Sequence, residues 1–253
     1  MAKKQAKPVV AKTAKTEPVV PSDVVLMSLW RNDVGRDQEQ RIEHLLAKES
    51  VTRWVWVTGN NNDATEEVLA RYAAANPAIT LIHYDSEDVG TNPDERLMRL
   101  SQTASVGLDD VREGDAFWCV HESDLISPVD VVTRLLQMQG DEPKVCAGMV
   151  WLGEEIGRCW YDTYAYRWDG GMFQNAPPYH SCVNLQDYFE VHSAGSVVLM
   201  PAAPLRDGIR MERGGLVELS YKLRDAGYRI VVDPKLNIIQ PIHLWTSAAH
   251  ASY

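Results

Sequence analysis

Short apolar runs alternate with amphipathic segments along the first 140 residues. The runs cover residues 24–29, 53–57 and 79–84 and the stretch that ends just before Glu122. A segment with helical periodicity follows each of them, at residues 36–48, 64–75, 94–106 and 129–138. Short strands that alternate with helices in this way indicate an α/β fold with a mostly parallel sheet flanked by helices.

The pattern changes after Gly140. Apolar runs at 145–151, 196–200 and 228–232 predict further strands, and residues 215–226 show the apolar stripe of a helix. Gly227 follows that helix and is suited to a left-handed C-terminal cap. Between these elements, residues 158–192 contain nine aromatic side chains without useful periodicity. This composition indicates an irregular insert that can shape a ligand pocket.

Polar residues follow the first, second and fourth predicted strands. Because the carboxyl ends of parallel strands meet at one edge of a sheet, these loops should lie together where open α/β sheets bind ligands. The fourth strand leads into Glu122-Ser123-Asp124. Carboxylates beside a core are costly unless they are compensated, and a divalent cation that bridges a nucleotide diphosphate would use both. The alternative is that Asp124 caps the helix after Pro128 while Glu122 is solvated.

The composition fits one large domain with a tail. The chain has 253 residues, of which 45% are hydrophobic, enough for a single core within residues 24–253. Residues 1–23 hold five lysines and two acids, so this stretch carries +3 whereas the whole chain carries −10. We expect a disordered basic tail that either solubilises the protein or steers it toward a polyanion such as nucleic acid.

The lack of a recognisable targeting signal and the wide spacing of the cysteines favour a cytoplasmic location. No apolar run reaches the roughly 18 residues of a membrane span, and the N-terminus lacks the apolar region of a secretory signal. The four cysteines form no CxxC pair. Free thiols in a cytoplasmic protein without membrane association are therefore expected, rather than disulfides or a zinc site.

Four segments, in this order, resemble those of the GT-A glycosyltransferases of the family 2-like type, which use nucleotide-sugar donors. Residues 26–32 match the family's first strand and turn, and 59–65 are similar to its Gly-Asn-Ser-x-Asp-x-Thr loop. Residues 122–124 hold the position of its DxD motif, and 219–230 are similar to its L-x-x-R-L-x-x-A-G-Y-R-I segment. The resemblance implies a Rossmann-like GT-A fold, with a nucleotide-binding half at 24–140 and an acceptor-binding half at 141–253.

The resemblance also implies a divalent metal ion, Mn²⁺ or Mg²⁺, at the acidic triplet. Such an ion stabilises the charge on the leaving phosphate as a Lewis acid. Asp124 is the expected direct ligand, and Glu122 would bind the metal, its water or the ribose. His243 falls where many members place a late metal-binding histidine, and a structural histidine is the alternative there.

Polar residues of the first half are expected to contact the donor, for which a UDP-sugar is predicted. The candidates by position are Trp30, Arg31, Asn32, Asn60, Asp63, Arg96, Arg99 and Glu122. Structural roles compete with donor contact at several of them. Trp30 would also serve as a core residue, Asp63 as the N-cap of the helix at 64–75, and the two helix arginines as solvated side chains.

An inverting enzyme needs a base that deprotonates the acceptor hydroxyl. The family's usual acid pair falls here at Gly215 and Leu216, which is a departure from its pattern. Glu218 and Glu212 are the nearby acids, and Glu218 is preferred, although a solvent-facing helix position explains it equally well. If neither is a base, a retaining mechanism without a dedicated base is the alternative.

These features together predict a metal-dependent hexosyl- or pentosyltransferase that acts on a hydroxyl acceptor. The acceptor is left open between a sugar, a protein, a small molecule and a hydroxymethylated pyrimidine in phage-type DNA, which would have to flip out of the duplex. One alternative is a nucleotidyltransferase, although the turn after the first strand lacks the glycine-rich phosphate loop. The other is a degenerate GT-A module that binds nucleotide or sugar without turnover, which the missing acid pair favours.

Overall fold

The computed structural model describes residues 23–86, 93–153, 165–168, 171–172, 181 and 183–242. Its strands are β1 (Val24–Trp30), β2 (Arg53–Thr58), β3 (Ile79–His83), β4 (Phe117–His121), β5 (Val145–Leu152), β6 (Arg167–Trp168), β7 (Gly171–Met172), β8 (Phe189–Val191), β9 (Val197–Pro201) and β10 (Ile230–Gln240). Its helices are α1 (Gln38–Leu46), α2 (Thr65–Ala75), α3 (Pro93–Leu108), α4 (Val131–Gln137), α5 (Ala203–Arg206) and α6 (Gly215–Asp225). Each predicted strand and helix is present, and β6, β7, β8 and α5 are additional.

Within the described residues, eight strands form one sheet in the order β3-β2-β1-β4-β9-β5-β10-β8. The pairs β1–β2, β1–β4, β2–β3 and β5–β10 are parallel. In contrast, β9 is antiparallel to both β4 and β5, and β8 is antiparallel to β10. The prediction of a mostly parallel α/β sheet is confirmed. Because β4 and β9 pair, one sheet joins the two predicted halves of the chain.

Both faces of the sheet are buried, which is why its inner strands are apolar at successive positions. Along β1, Val25 and Met27 face one core, whereas Val24 and Leu26 face the other. Helices α3 and α6 close the first core, and α1, α2 and α4 close the second. None of the helices in the described part of the chain is long and apolar enough to span a membrane.

The helix ends lie within two residues of the predicted ones. Helix α1 begins at Gln38 because its N-cap, Asp37, has a left-handed backbone (φ 55°). Helix α4 begins at Val131 with Asp130 as its N-cap. The alternative in which Asp124 caps this helix is therefore wrong. Gly227, just beyond α6, has φ +94°, which agrees with the predicted left-handed cap.

Strand β10 is much longer than the predicted strand at 228–232. It continues to Gln240 through a register shift between Asp233 and Ile238, with Asn237 at φ 52°. Such a bulge re-aims a strand without ending it. As a result, β10 reaches the acidic triplet, where Ile126 and Ile239 exchange backbone hydrogen bonds of 2.9 and 2.8 Å.

Candidate functional site

The polar loops after β1 and β2 are hydrogen-bonded to each other at the carboxyl-terminal edge of the sheet. The N–H of Asn32 donates to Oδ1 of Asn61 at 2.9 Å, and the N–H of Asn62 donates to Oδ1 of Asn32 at 2.9 Å. Asn32 has φ 50°, a conformation that asparagine tolerates better than most residues. The predicted meeting of these loops is confirmed, and the Asn32 side chain helps to hold it.

Asp63 joins the second loop to the first. Its Oδ1 accepts the N–H of Thr65 at 3.0 Å, and its Oδ2 accepts the N–H of Val34 at 3.1 Å. The N-cap residue of α2 is Ala64, so the predicted cap at Asp63 is wrong by one position. Both carboxylate oxygens nevertheless bind backbone N–H groups, which gives Asp63 a structural role at the site.

The loop after β2 also packs against the segment after β3. A Cβ on Gly59 would lie 1.9 Å from the Tyr84 carbonyl oxygen, so only glycine fits there. Oδ1 of Asn60 accepts the N–H and the hydroxyl of Ser86, each at 2.9 Å, and its Nδ2 donates to the Ser86 carbonyl at 3.2 Å. The side-chain amide of Asn60 therefore makes three hydrogen bonds to Ser86, and donor contact by Asn60 stays a prediction.

Arg41 ties the acidic triplet to the first loop. It is 5% exposed, its Nη1 donates to the Ser123 carbonyl at 2.8 Å, and its Nη2 donates to Oδ1 of Asp33 at 2.7 Å. Asp33 is 3% exposed, and its N–H donates to Oγ1 of Thr65 at 2.6 Å. This pair was not among the residues predicted from the sequence. The signal was an arginine on the apolar face of α1, one turn before Leu45.

The acidic triplet leaves β4 beside this buried pair. Burial raises the pKa of the Asp124 carboxyl group; the charge of Arg41 opposes the rise, and Asp33 adds to it. Glu122 is half-buried, and its N–H donates to the Ser196 carbonyl at 3.0 Å. Asp124 is therefore a carboxylate whose ionised form would be favoured by a nearby cation.

A chain of buried polar groups runs from the triplet to α1. Nδ1 of His121 contacts the Glu122 carbonyl and its Nε2 contacts Oγ of Ser127, both at 2.8 Å. The Ser127 N–H donates to Nε2 of His44 at 3.1 Å, and Nζ of Lys48 donates to the Ser127 carbonyl at 2.7 Å. Burial lowers the pKa of His121 to about 3 and that of Lys48 to about 8. His121 is therefore neutral, and the Ser127 hydroxyl donates to its Nε2.

Gln240 is a further residue of this site that was not predicted from the sequence. It ends β10 and is fully buried, and its Nε2 lies 3.5 Å from the Asp124 carbonyl oxygen. Its Oε1 has no hydrogen-bond partner among the described residues. The position of Gln240 could not be predicted because the predicted strand ends at residue 232, well before the end of β10.

Other predicted donor residues lie in different surroundings. Trp30 is 2% exposed and packs edge-on against Trp56, with centroids 5.9 Å apart, so its position agrees with the core alternative. Arg31 is exposed, and its backbone N–H donates to Oδ2 of Asp33 at 3.1 Å. On α3, Arg96 is exposed and Arg99 is half-buried. Donor contact by any of these side chains stays a prediction.

Of the two predicted base residues, Glu218 lies in the first turn of α6 and Glu212 lies in the loop just before it. Oε2 of Glu218 accepts the N–H groups of Glu212, Arg213 and Gly214 at 2.8–2.9 Å. Lys222 pairs with Glu218 and with Glu212, both at 2.7 Å. Although burial opposes it, these hydrogen bonds lower the pKa of Glu218 to about 2. Glu218 thus binds the backbone N–H groups that precede its own helix. A role for Glu218 as a base stays a prediction.

Within the described residues, no three His, Cys, Asp or Glu side chains form a group that could hold a metal ion. The acidic triplet offers two carboxylates, Glu122 and Asp124, as possible metal ligands. His243, predicted as a third ligand, lies outside the described residues.

No protein-family model matches the sequence, and neither does any curated protein. Solved structures do match. GalNAc-T7 with UDP, GalNAc and Mn²⁺ superposes with a TM-score of 0.61 at 13% identity, covering 87% of this chain and 44% of that one. The mannosyltransferase PcManGT from Pyrobaculum calidifontis, with GDP-Man and Mn²⁺, gives 0.55 at 13%, covering 92% and 63%. TarS 1–349 from S. aureus, with UDP-GlcNAc, gives 0.54 at 12%, covering 86% and 58%.

The chain has the GT-A glycosyltransferase fold. The predicted fold is thereby confirmed. The chain spans less than two thirds of the length of each of these three proteins. In this GT-A fold, the edge that carries Asn32, Asp63 and the acidic triplet is also the edge where open α/β sheets bind ligands.

Proposed function

We propose that the chain is a metal-dependent glycosyltransferase that moves a sugar from a nucleoside-diphosphate sugar to a hydroxyl group. The observation that carries the proposal is the position of Glu122-Ser123-Asp124. In a GT-A fold, this triplet leaves β4 at the edge where the loops after β1 and β2 meet, and Arg41 bonds it to the first loop. A donor bound along the two loops would bring its diphosphate to the two carboxylates.

The chemistry of the triplet fits a divalent cation. Glu122 and Asp124 offer the oxygen ligands that hard cations prefer. Burial outweighs the attraction of Arg41 and raises the pKa of Asp124, so a cation would supply the missing positive charge. The other ligands would be donor phosphate, water or His243. When bound, the ion would neutralise charge that develops on the leaving diphosphate.

For the donor, we propose a UDP-sugar. GalNAc-T7 and TarS were solved with UDP or UDP-GlcNAc, whereas the mannosyltransferase holds GDP-Man, which keeps GDP-sugars as the second choice. Arg31 is the proposed phosphate contact, because its side chain is exposed at the end of β1. Asn32, Asn60 and Asp63 would shape the nucleotide site mainly by holding its loops together.

The base is proposed between Glu218 and Glu212. A carboxylate with a pKa of about 2, which already accepts three backbone N–H groups, is a weak proton acceptor. This favours Glu212, which is exposed and contacts Lys222. It also favours the alternative of a retaining mechanism.

The first experiment incubates the chain with a panel of UDP- and GDP-sugars, with Mn²⁺ or with a chelator, and measures the nucleoside diphosphate released. Release that requires Mn²⁺ and is lost in Asp124→Asn supports the proposal. Asp109→Asn is the matched control, since Asp109 is exposed and paired with Arg210. Pyrophosphate release from nucleoside triphosphates would indicate a nucleotidyltransferase. Binding without turnover would indicate a degenerate module. The absence of both binding and turnover would contradict the glycosyltransferase and the degenerate module alike.

A hydroxymethylated pyrimidine in DNA is kept as one hypothesis for the acceptor, and cytoplasmic location as an expectation; the matched structures support neither. After incubation of hydroxymethylated DNA with each donor, mass spectrometry of the nucleosides would show the added mass of one sugar. Unchanged nucleosides with every active donor would contradict a DNA acceptor.

A further inference from the structure

Side chains from three different elements hold the carbonyl groups of the acidic triplet. Nδ1 of His121 donates to the Glu122 carbonyl at 2.8 Å, and Nη1 of Arg41 donates to the Ser123 carbonyl at 2.8 Å. Nε2 of Gln240 lies 3.5 Å from the Asp124 carbonyl. We call His121, Arg41 and Gln240 the carbonyl cradle. His121 and Arg41 restrain the two peptide planes between the carboxylates of the triplet, and Gln240 contacts the plane that follows Asp124.

The His121 ring is held in one orientation because both of its nitrogens are hydrogen-bonded. A carbonyl oxygen only accepts hydrogen bonds, so Nδ1 of His121 must carry a hydrogen. On the opposite side, Ser127 holds Nε2, and Ser127 is itself held by His44 and Lys48. The ring cannot turn without breaking bonds at both nitrogens.

Placing a histidine at this buried position costs free energy of desolvation. His121 ends an otherwise apolar strand and is fully buried, and burying an imidazole costs free energy unless its nitrogens are bonded. A leucine would fill similar space without that cost. A leucine would lack both the N–H directed at the triplet and the Nε2 that accepts the Ser127 hydroxyl.

We propose that His121 is a positioning residue whose Nδ1–H holds the Glu122 carbonyl and thereby fixes the direction of the Glu122 and Asp124 carboxylates. This inference rests on the proposed function in that the two carboxylates bind a metal–nucleotide complex. Groups that orient metal ligands typically contribute about 10–100-fold to metal affinity. His121 would therefore act on the metal requirement and not only on stability.

The test compares His121→Leu with His121→Asn. For each folded variant, the Mn²⁺ concentration that gives half-maximal UDP binding is measured by calorimetry, and the melting temperature is recorded separately. We expect a rise of about tenfold or more for His121→Leu. We expect a change within about threefold for His121→Asn, because the asparagine amide can place an N–H near the position of Nδ1.

Three results separate the possibilities. An unchanged Mn²⁺ requirement in folded His121→Leu overturns the inference and leaves the proposed function standing. Absence of Mn²⁺-dependent UDP binding by the unmodified chain contradicts the proposed function, and the inference with it. If His121→Leu does not fold, the Mn²⁺ requirement of Ser127→Ala is compared with that of a control variant, Ser50→Ala. The Ser50 hydroxyl contacts Thr133 on the surface. Equal Mn²⁺ requirements in these two would overturn the inference.

Discussion

At the residue scale, the candidate site depends on charges that lie close together and largely out of water. Asp33 and Arg41 are both at most 5% exposed and form a 2.7 Å ion pair, and both act on the pKa of Asp124. Buried charges of this kind add little net stability, but removing one partner is costly. We infer that the arrangement is retained for the geometry it gives the triplet.

The first prediction concerns the stability of Asp124→Asn in the absence of metal. Because the folded state raises the pKa of Asp124, its ionisation favours the unfolded state as pH rises through the folded-state value. Removing the charge should leave the free energy of unfolding at pH 7 equal or higher. Urea unfolding with a chelator measures this. A clearly less stable variant would show that the carboxylate has a structural role.

The second prediction concerns the Asp33–Arg41 pair. Arg41→Met leaves the buried Asp33 carboxylate with only the longer 3.3 Å ion pair to Arg36, and should lower the free energy of unfolding by about 3 kcal/mol. In a double-mutant cycle with Asp33→Asn, the coupling should be about 2 kcal/mol. The control pair Arg71–Glu39 has the same 2.7 Å distance but side chains about 60% exposed, and should couple by less than about 1 kcal/mol. Equal coupling in both cycles would contradict this account.

Single residues are predictable where local sequence determines the environment. An apolar run that ends in two acids indicates a site by itself, so the sequence alone is enough to single out Asp124. It is not enough for Arg41, because helical periodicity gives the face that this side chain occupies but not its carbonyl partner 82 positions away. His121 is hidden for the same reason, since both of its nitrogens are satisfied only in the folded chain.

At the scale of elements, α1 and the turn after it hold both the acidic triplet and the segment that follows the triplet. Arg41 bonds the Ser123 carbonyl, and Lys48, beyond the end of the helix, bonds the carbonyls of Ser127 and Pro128. The predicted helix extends to Lys48. The observed helix ends at Leu46 instead, and the lysine turns inward to these carbonyls. The sequence therefore predicts the helix but not the part of it that supports the site.

The third prediction concerns the N-terminus of α6. The pKa of Glu218 is lowered from 4.5 to about 2, so its contribution to stability is present above pH 5 and is lost as pH falls toward 2. The shift corresponds to about 3 kcal/mol, and Glu218→Gln should lose about 2 kcal/mol at pH 7. Urea unfolding between pH 2 and pH 7 should show the difference from the unmodified chain shrinking at low pH. A pH-independent difference would rule out the charge as its cause.

At the scale of the whole molecule, the first four strands are parallel, as predicted for an α/β sheet, whereas the second half is mixed. Strand β9 enters antiparallel between β4 and β5, and its register is set by pairing with strands far away in sequence. An apolar run reveals that a strand is buried but not its direction. The resemblance to the GT-A family predicts the fold class, and it too leaves the direction of β9 open.

The central claim is that the acidic triplet binds a nucleoside diphosphate through a divalent ion. Calorimetry of UDP binding, with Mn²⁺ and with a chelator, tests it most directly when the unmodified chain is compared with Asp124→Asn and Asp109→Asn. The account predicts binding that requires Mn²⁺, persists in Asp109→Asn and weakens at least about tenfold in Asp124→Asn. UDP binding that is equally strong without Mn²⁺, or in folded Asp124→Asn, would contradict it.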